Sequence, residues 1–156
     1  MRTMLEILNK AGGWHPGLYL KIENLPYMEL VIEAVDESGP SGLPAISVAH
    51  YGEQNGDLMR DPEMCFELGF HDGPELNPFY YRNDSLGVEQ WSRNIIRDHY
   101  VSLEMLHKQH ERFARTWDDN LRLQGFAESF RPQQACTRIV RTARPRSGPS
   151  APHLQP

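Results

Sequence analysis

Cysteine is scarce in this sequence, with two residues, Cys65 and Cys136, that belong to no Cys-x-x-Cys pair. This excludes a disulfide framework and a zinc ribbon. No apolar run approaches the roughly 20 residues that cross a bilayer. The N-terminal stretch also lacks the apolar core and cleavage site of a signal peptide. We therefore expect a cytoplasmic protein that does not engage membranes.

Catalytic motifs are missing as well. The chain contains no GxSxG, no Walker loop, no GxGxxG and no HExxH, the patterns typical of acyl transfer, phosphoryl transfer, dinucleotide binding and zinc hydrolysis. Cys65 stands between Met64 and Phe66 in an apolar stretch, where a buried or half-buried thiol is expected. We therefore expect no cofactor, no resident metal and no nucleophile, which favours a binding protein over an enzyme.

The charge distribution is uneven along the chain. All 21 acidic residues lie in residues 1–130, together with 11 of the 16 basic residues, so this part carries a net charge of −10. Residues 131–156 carry +5 and are rich in Pro, Arg, Ser and Gln. We expect one domain over 1–130 and a disordered basic tail over 131–156. Direct nucleic-acid binding is not expected, except weakly through the arginines of the tail.

The residue pattern predicts an α+β fold. Residues 1–11 have the apolar side of a short helix, which Gly12-Gly13 ends. Five stretches with a period of two then predict an antiparallel sheet, because the connections are short and Asn55-Gly56 is a strong hairpin signal. The predicted strands cover residues 18–23, 28–34, 45–51, 64–70 and 76–82.

From residue 88 the apolar residues recur every three or four positions, which predicts an amphipathic helix to residue 124. A rod of that length would measure roughly 55 Å, more than one small domain needs. We expect either a break near 117–120 or a partner on its outer face, at Leu106, Phe113 and Trp117. His99 and His110 fill gaps in the apolar stripe and are expected to be partly buried. A homodimer along this helix is a further hypothesis.

The densest polar stretch, residues 50–63, supports two interpretations. Its Asn, Asp and Gly residues can simply shape a turn. Its carboxylates can also converge on a divalent cation, since hard cations prefer oxygen ligands. The side chains for such a site are His50, Asp57, Asp61, Glu63, Glu67 and Asp84. The alternative hypothesis is therefore a small metal-dependent enzyme, such as a nuclease, built on this set without Glu67.

The run from 50 to 67, with QNGD and DPEM at its centre, and the run from 81 to 87 with NDSLG resemble an uncharacterised domain family. That family has the pattern QNGDxMxDPxMxFE followed by NDxLG and is carried by plasmids, integrative conjugative elements and phages. The resemblance implies an accessory protein of a mobile element that binds a host or element-encoded protein. It also implies a counter-defence role against a nuclease complex, of the anti-CRISPR or anti-restriction type. The expected binding residues are Gln54, Asn55, Asp57, Asp61, Glu63, Asn83 and Asp84.

Overall fold

The computed structural model describes residues 1–70 and 74–132. Residues 133–156, which make up most of the predicted tail, lie outside the described part. The elements in chain order are α1 Arg2–Lys10, β1 Tyr19–Ile22, β2 Leu30–Val35, β3 Ala45–Gln54, β4 Asp57–Phe70, β5 Pro74–Asn83, β6 Val88–Trp91, β7 Arg93–Ile96, β8 His99–Ser102, α2 Glu104–Leu123 and α3 Phe126–Ser129.

The architecture is α+β, as the residue pattern predicts. Strands β1 to β6 form one antiparallel sheet in sequence order, and β7 and β8 form a separate two-stranded hairpin. The five predicted strands are all present, and the short connections between neighbouring strands explain the simple up-and-down order. The register aligns apolar residues across the sheet. One row runs through Leu20, Ile32, Val48, Met64 and Tyr81.

This apolar face of the sheet is covered by the helices. α1 contributes Met4 and Ile7 to the core, α2 contributes Trp117 and Leu121, and α3 contributes Phe126. Each such side chain stabilises the fold by roughly 1.5–3 kcal/mol through burial. No helix in the described ranges is long and apolar enough to cross a membrane.

A capping interaction joins α1 and α2, which lie far apart in the chain. Met1 offers no side-chain cap to α1, and the first turn of that helix has no acidic residue. Instead, Asp118 of α2 accepts hydrogen bonds from the backbone N–H groups of Arg2 at 2.8 Å, Thr3 at 3.2 Å and Met4 at 3.2 Å. A carboxylate here satisfies donors that the helix leaves unpaired and complements the positive end of the helix dipole.

The long-helix prediction was wrong in its first part. Residues 88–102 form three strands instead, and the helix begins only at Glu104. The spacing of Val88, Trp91 and Ile95 fits a helix, but β5 needs a partner along its second edge and β6 supplies it. The predicted break near 117–120 does not occur either. Asp118 has a low helix propensity, and its capping of α1 offsets this cost here.

We expect Asp118→Ala to lower the free energy of unfolding by about 1–2 kcal/mol, the usual cost of a lost helix cap. The neighbouring Asp119 is exposed, so Asp119→Ala is the matched control and should change it by less than about 0.5 kcal/mol. Urea unfolding followed by circular dichroism measures both. Equal effects of the two substitutions would contradict the capping role.

Candidate functional site

The QNGD motif forms the tip of the β3–β4 hairpin. Asn55 and Gly56 have φ angles of 56° and 87°, as a two-residue turn of the predicted Asn-Gly kind requires. The flanking Gln54 and Asp57 pair with each other across the turn. All four residues are exposed, so a partner can reach the tip. The positive φ angles of the turn account for Asn55 and Gly56 at its centre.

Below the tip, Asp61 connects β4 to the β5–β6 turn. Its Oδ1 accepts a hydrogen bond from Asn83 Nδ2 at 2.6 Å, and its Oδ2 accepts one from Ser85 Oγ at 3.0 Å. The Asn83 side chain in turn accepts from the N–H of Leu86 at 3.0 Å. Asp61 and Asn83, both predicted as binding residues, therefore connect β4 to the end of β5 and the turn that follows it.

Asp84 makes a second connection between the β5–β6 turn and β4. Its Oδ2 accepts from the backbone N–H of Arg60 at 2.9 Å, and its Oδ1 accepts from Arg82 Nε at 2.6 Å. The Arg60 backbone N–H, followed by the Arg82 side chain, lowers the pKa of Asp84 below its ordinary value. Glu63 belongs to the same network of contacts. Its carboxylate pairs with Arg60 Nε at 2.9 Å and accepts a hydrogen bond from Ser47 Oγ at 2.7 Å.

Four of the carboxylates proposed as metal ligands, Asp61, Glu63, Glu67 and Asp84, are therefore engaged with protein partners, and Glu63 and Asp84 share Arg60. His50 Nδ1 contacts the carbonyl of Glu29 at 3.0 Å, and its ring packs against Trp117. Asp57 lies at the exposed tip, and Glu67 pairs with Arg93 at 2.7 Å. Among residues 1–70 and 74–132, no group of three or more His, Cys, Asp or Glu side chains is placed to hold a metal ion.

The predicted helix interface is only partly exposed. Trp117 is 5% exposed and lies in the core, so a partner cannot reach it as part of an outer face. Leu106 is half-buried. Phe113 is 38% exposed and packs edge-on against Tyr81, with the ring centroids 5.1 Å apart. A partner on this helix could therefore contact Phe113 and Leu106 but not the indole of Trp117.

Three titratable groups clarify the remaining predictions. His110 is buried, as expected, and burial together with the charge of His107 lowers its pKa to about 4. His99 is exposed on β8 and not on a helix, so that prediction was wrong. Cys65 is half-buried as predicted, and burial, followed by the charge of Glu63, raises its pKa to about 12. A thiol protonated at neutral pH is a poor nucleophile.

The β7–β8 hairpin exposes several large apolar side chains, which the helix-like spacing of the apolar residues did not predict. Ile95 is 47% exposed, and Ile96 and Tyr100 are each 52% exposed. Large apolar residues flank the hairpin on both sides, with Trp91, Leu103 and Met105 also exposed. The signal in the sequence was two short runs rich in β-branched and aromatic residues, 93–96 and 99–102, around a polar dipeptide.

A buried ion pair fixes the base of this hairpin to the main sheet. Arg93 Nη1 lies 2.7 Å from Glu67 Oε2, and the two side chains are 5% and 1% exposed. The guanidinium also donates to the carbonyls of Pro78 at 3.2 Å and Asn77 at 3.1 Å. The other Glu67 oxygen accepts from the Ser41 N–H at 2.5 Å. The hairpin, β4, β5 and the 36–44 loop therefore meet at one buried point.

Gly39 shows how closely the 36–44 loop approaches this ion pair. A Cβ atom at this position would overlap the Glu67 side chain. A glycine is therefore required by space rather than by backbone angle. The loop and the hairpin base are packed against the same carboxylate.

A family model described as Domain of unknown function (DUF6908) matches residues 2–127. The match includes both hairpins and all three helices except the end of α3. Nothing among the curated proteins or the solved structures matches the chain significantly.

We expect Asp61→Ala to destabilise the fold by about 1–2 kcal/mol, because it removes two side-chain hydrogen bonds that join β4 to Asn83 and Ser85. Asp57→Ala, four residues away at the exposed tip, should change stability by less than about 0.5 kcal/mol. Thermal and urea unfolding of the two variants compare them directly. An Asp61 variant as stable as the wild type would show that the motif aspartate has no structural role.

Proposed function

The chain belongs to the family Domain of unknown function (DUF6908), and we propose that it acts by binding another protein through the projecting β7–β8 hairpin. The observation that carries this proposal is the exposure of Ile95, Ile96 and Tyr100 on one short element. Clustered exposed apolar side chains mark interaction surfaces on folded proteins. Aromatic and large aliphatic residues also supply most binding energy at interfaces.

A cleft beside the hairpin supports the same surface. It has a volume of about 410 Å³ and lies between the hairpin and the 36–44 loop, with Phe79, Trp91 and Ile95 among its lining residues. A concave apolar site next to exposed aromatic side chains can receive one anchor side chain of a partner. The buried ion pair of Glu67 and Arg93 keeps the two walls of the cleft together.

Charge defines the kind of partner. Residues 1–130 carry a net charge of −10, and the exposed Asp36 and Glu37 lie in the loop next to the hairpin. Such a surface repels nucleic acid and favours a protein with basic residues around an apolar centre. A nucleic-acid channel of a nuclease has this character.

The biological setting follows from the motif resemblance. We infer an accessory protein of a mobile element that blocks a host defence nuclease, or a transfer protein of the element, by occupying its basic surface. The exposed hairpin and the acidic body support this inhibitor hypothesis. Electrostatic attraction to the acidic body is the reason why the basic surface of a nuclease would bind the domain.

The test uses the full chain as bait in host lysate, followed by titration calorimetry with the purified partner. We expect a stoichiometric basic partner and, for Ile95→Ser/Tyr100→Ser, an affinity at least about 100-fold weaker, since two interface anchors are removed. The variant should unfold at the same urea concentration as the wild type, because both side chains are about half exposed.

The matched control is Asn55→Ala/Asp57→Ala, which changes the exposed tip of the other hairpin and should leave the affinity unchanged. Loss of binding in this control alone would move the interface to the motif. Light scattering at a dimer mass would assign the hairpin to self-association. Hydrolysis of DNA by the purified chain with Mg²⁺ or Mn²⁺ would replace the binding proposal with the enzyme alternative.

A further inference from the structure

A small pocket lies on the helix-covered side of the sheet. It has a volume of about 220 Å³ and is formed by the β1–β2 loop, β3 and the second half of α2. We call it the Trp117 pocket. Its lining residues are Tyr27, Met28, His50, Trp117, Asn120 and Gln124.

Aromatic rings form the inner surface of this pocket. The His50 ring lies 5.5 Å from that of Trp117, at an angle of 58°. It lies 5.5 Å from that of Phe126 on another side. Tyr27 extends the group, with its ring 6.3 Å from Phe126. Tyr27 and Met28 are more than 40% exposed and form the rim, whereas His50 and Trp117 are buried at the base.

The His50 ring presents a hydrogen-bond acceptor. Its Nδ1 contacts the Glu29 carbonyl at 3.0 Å, and a carbonyl can only accept, so Nδ1 carries the proton. Burial lowers the pKa of His50 below its ordinary value, which keeps the ring neutral at pH 7. Nε2 is then unprotonated and can accept a hydrogen bond, and the backbone of Met28 is the other group that hydrogen-bonds with this ring.

The indole of Trp117 presents the complementary donor. Its Nε1–H has no acceptor within the described part of the chain, although the residue is 5% exposed. Trp14, in contrast, donates its indole N–H to the carbonyl of Ala45 at 3.2 Å. Trp117 Nε1 is not fully shielded from solvent, and the Trp117 and His50 rings line the same pocket. A buried indole N–H usually has a partner.

We propose that the Trp117 pocket binds a planar, uncharged heteroaromatic ring of the nucleobase class, whose edge carries a hydrogen-bond acceptor for Trp117 and a donor for His50. The aromatic walls provide stacking contacts, and Asn120 and Gln124 supply further amide groups at the rim. The volume admits one ring system rather than a drug-sized molecule.

The charge of the lining decides between a base and a nucleotide. None of the six lining residues is Lys, Arg, Asp or Glu, so a phosphate would find no cationic partner there. The site is therefore expected to bind a free base at least as tightly as its monophosphate. This ligand is independent of the protein partner of the β7–β8 hairpin.

The test is a titration of the ¹⁵N-labelled full chain, observed at the three tryptophan indole N–H signals. Trp14→Phe and Trp91→Phe variants assign the signals. Adenine is the probe, because its exocyclic amine donates next to a ring nitrogen that accepts. Toluene is the comparator without a polar edge, and adenosine monophosphate is the comparator with a phosphate. We expect adenine to shift the Trp117 signal saturably and to leave the Trp14 signal in place.

Two variants separate the polar edge from the general shape of the pocket. His50→Phe keeps a ring but removes the acceptor, and we expect about tenfold weaker adenine binding, the size of one lost hydrogen bond. Tyr27→Ala alters only the exposed rim, so the fold survives and adenine should again bind more weakly. His110→Phe changes a buried histidine outside the pocket and should have no effect.

The absence of a saturable Trp117 shift at 10 mM adenine (roughly the weakest affinity of interest) would overturn the proposal. Toluene binding as tightly as adenine would also overturn it, since the pocket would then be a plain apolar cavity. A clear preference for the monophosphate would contradict the absence of cationic residues in the lining.

Discussion

The arrangement of this protein depends most on the buried ion pair between Glu67 and Arg93. Burying two charges costs several kcal/mol unless each finds its full set of partners. Here Arg93 also donates to the carbonyls of Asn77 and Pro78, and Glu67 also accepts from the backbone of Ser41. The pair therefore joins a central strand, its neighbour, a loop and the base of a hairpin. The hairpin leaves the sheet at a defined position because its first residue is anchored in this network.

The polar motif of the chain has two functions in the structure. Its tip at Asn55 is exposed and makes a regular two-residue turn. At its base, Asp61 of β4 contacts Asn83, and Asp84 of the β5–β6 turn contacts Arg60 of β4, so the turn before β6 is held against β4. Asp61 and Asp84, which belong to the candidate cluster in the sequence, thus hold β4 and the β5–β6 turn together. This is why the proposed interaction surface lies on Ile95 and Tyr100 and not on the carboxylates.

The sequence predicts the sheet well because its information is local. Alternation and the Asn55-Gly56 turn determine strands and connections without reference to distant residues. It fails from residue 88 to 102, where apolar spacing fits a helix, whereas in the structure β6 pairs with β5 and β7 pairs with β8. The roles of Asp118 and Arg93 are also invisible, because Met4, which Asp118 caps, and Glu67, the ion-pair partner of Arg93, lie 114 and 26 residues away in the chain. Long-range contacts of this kind leave no periodic signal.

The most direct test of the account is amide hydrogen exchange on Arg93→Met, with Arg97→Met in the exposed hairpin turn as the control. Removing Arg93 leaves the Glu67 carboxylate buried without its partner, so the hairpin base should open. We predict lost protection over residues 93–102 and around Ser41, while β1 to β3 keep theirs and the control behaves like the wild type. Unchanged protection of the hairpin in Arg93→Met would contradict the claim that this ion pair holds the binding surface in place.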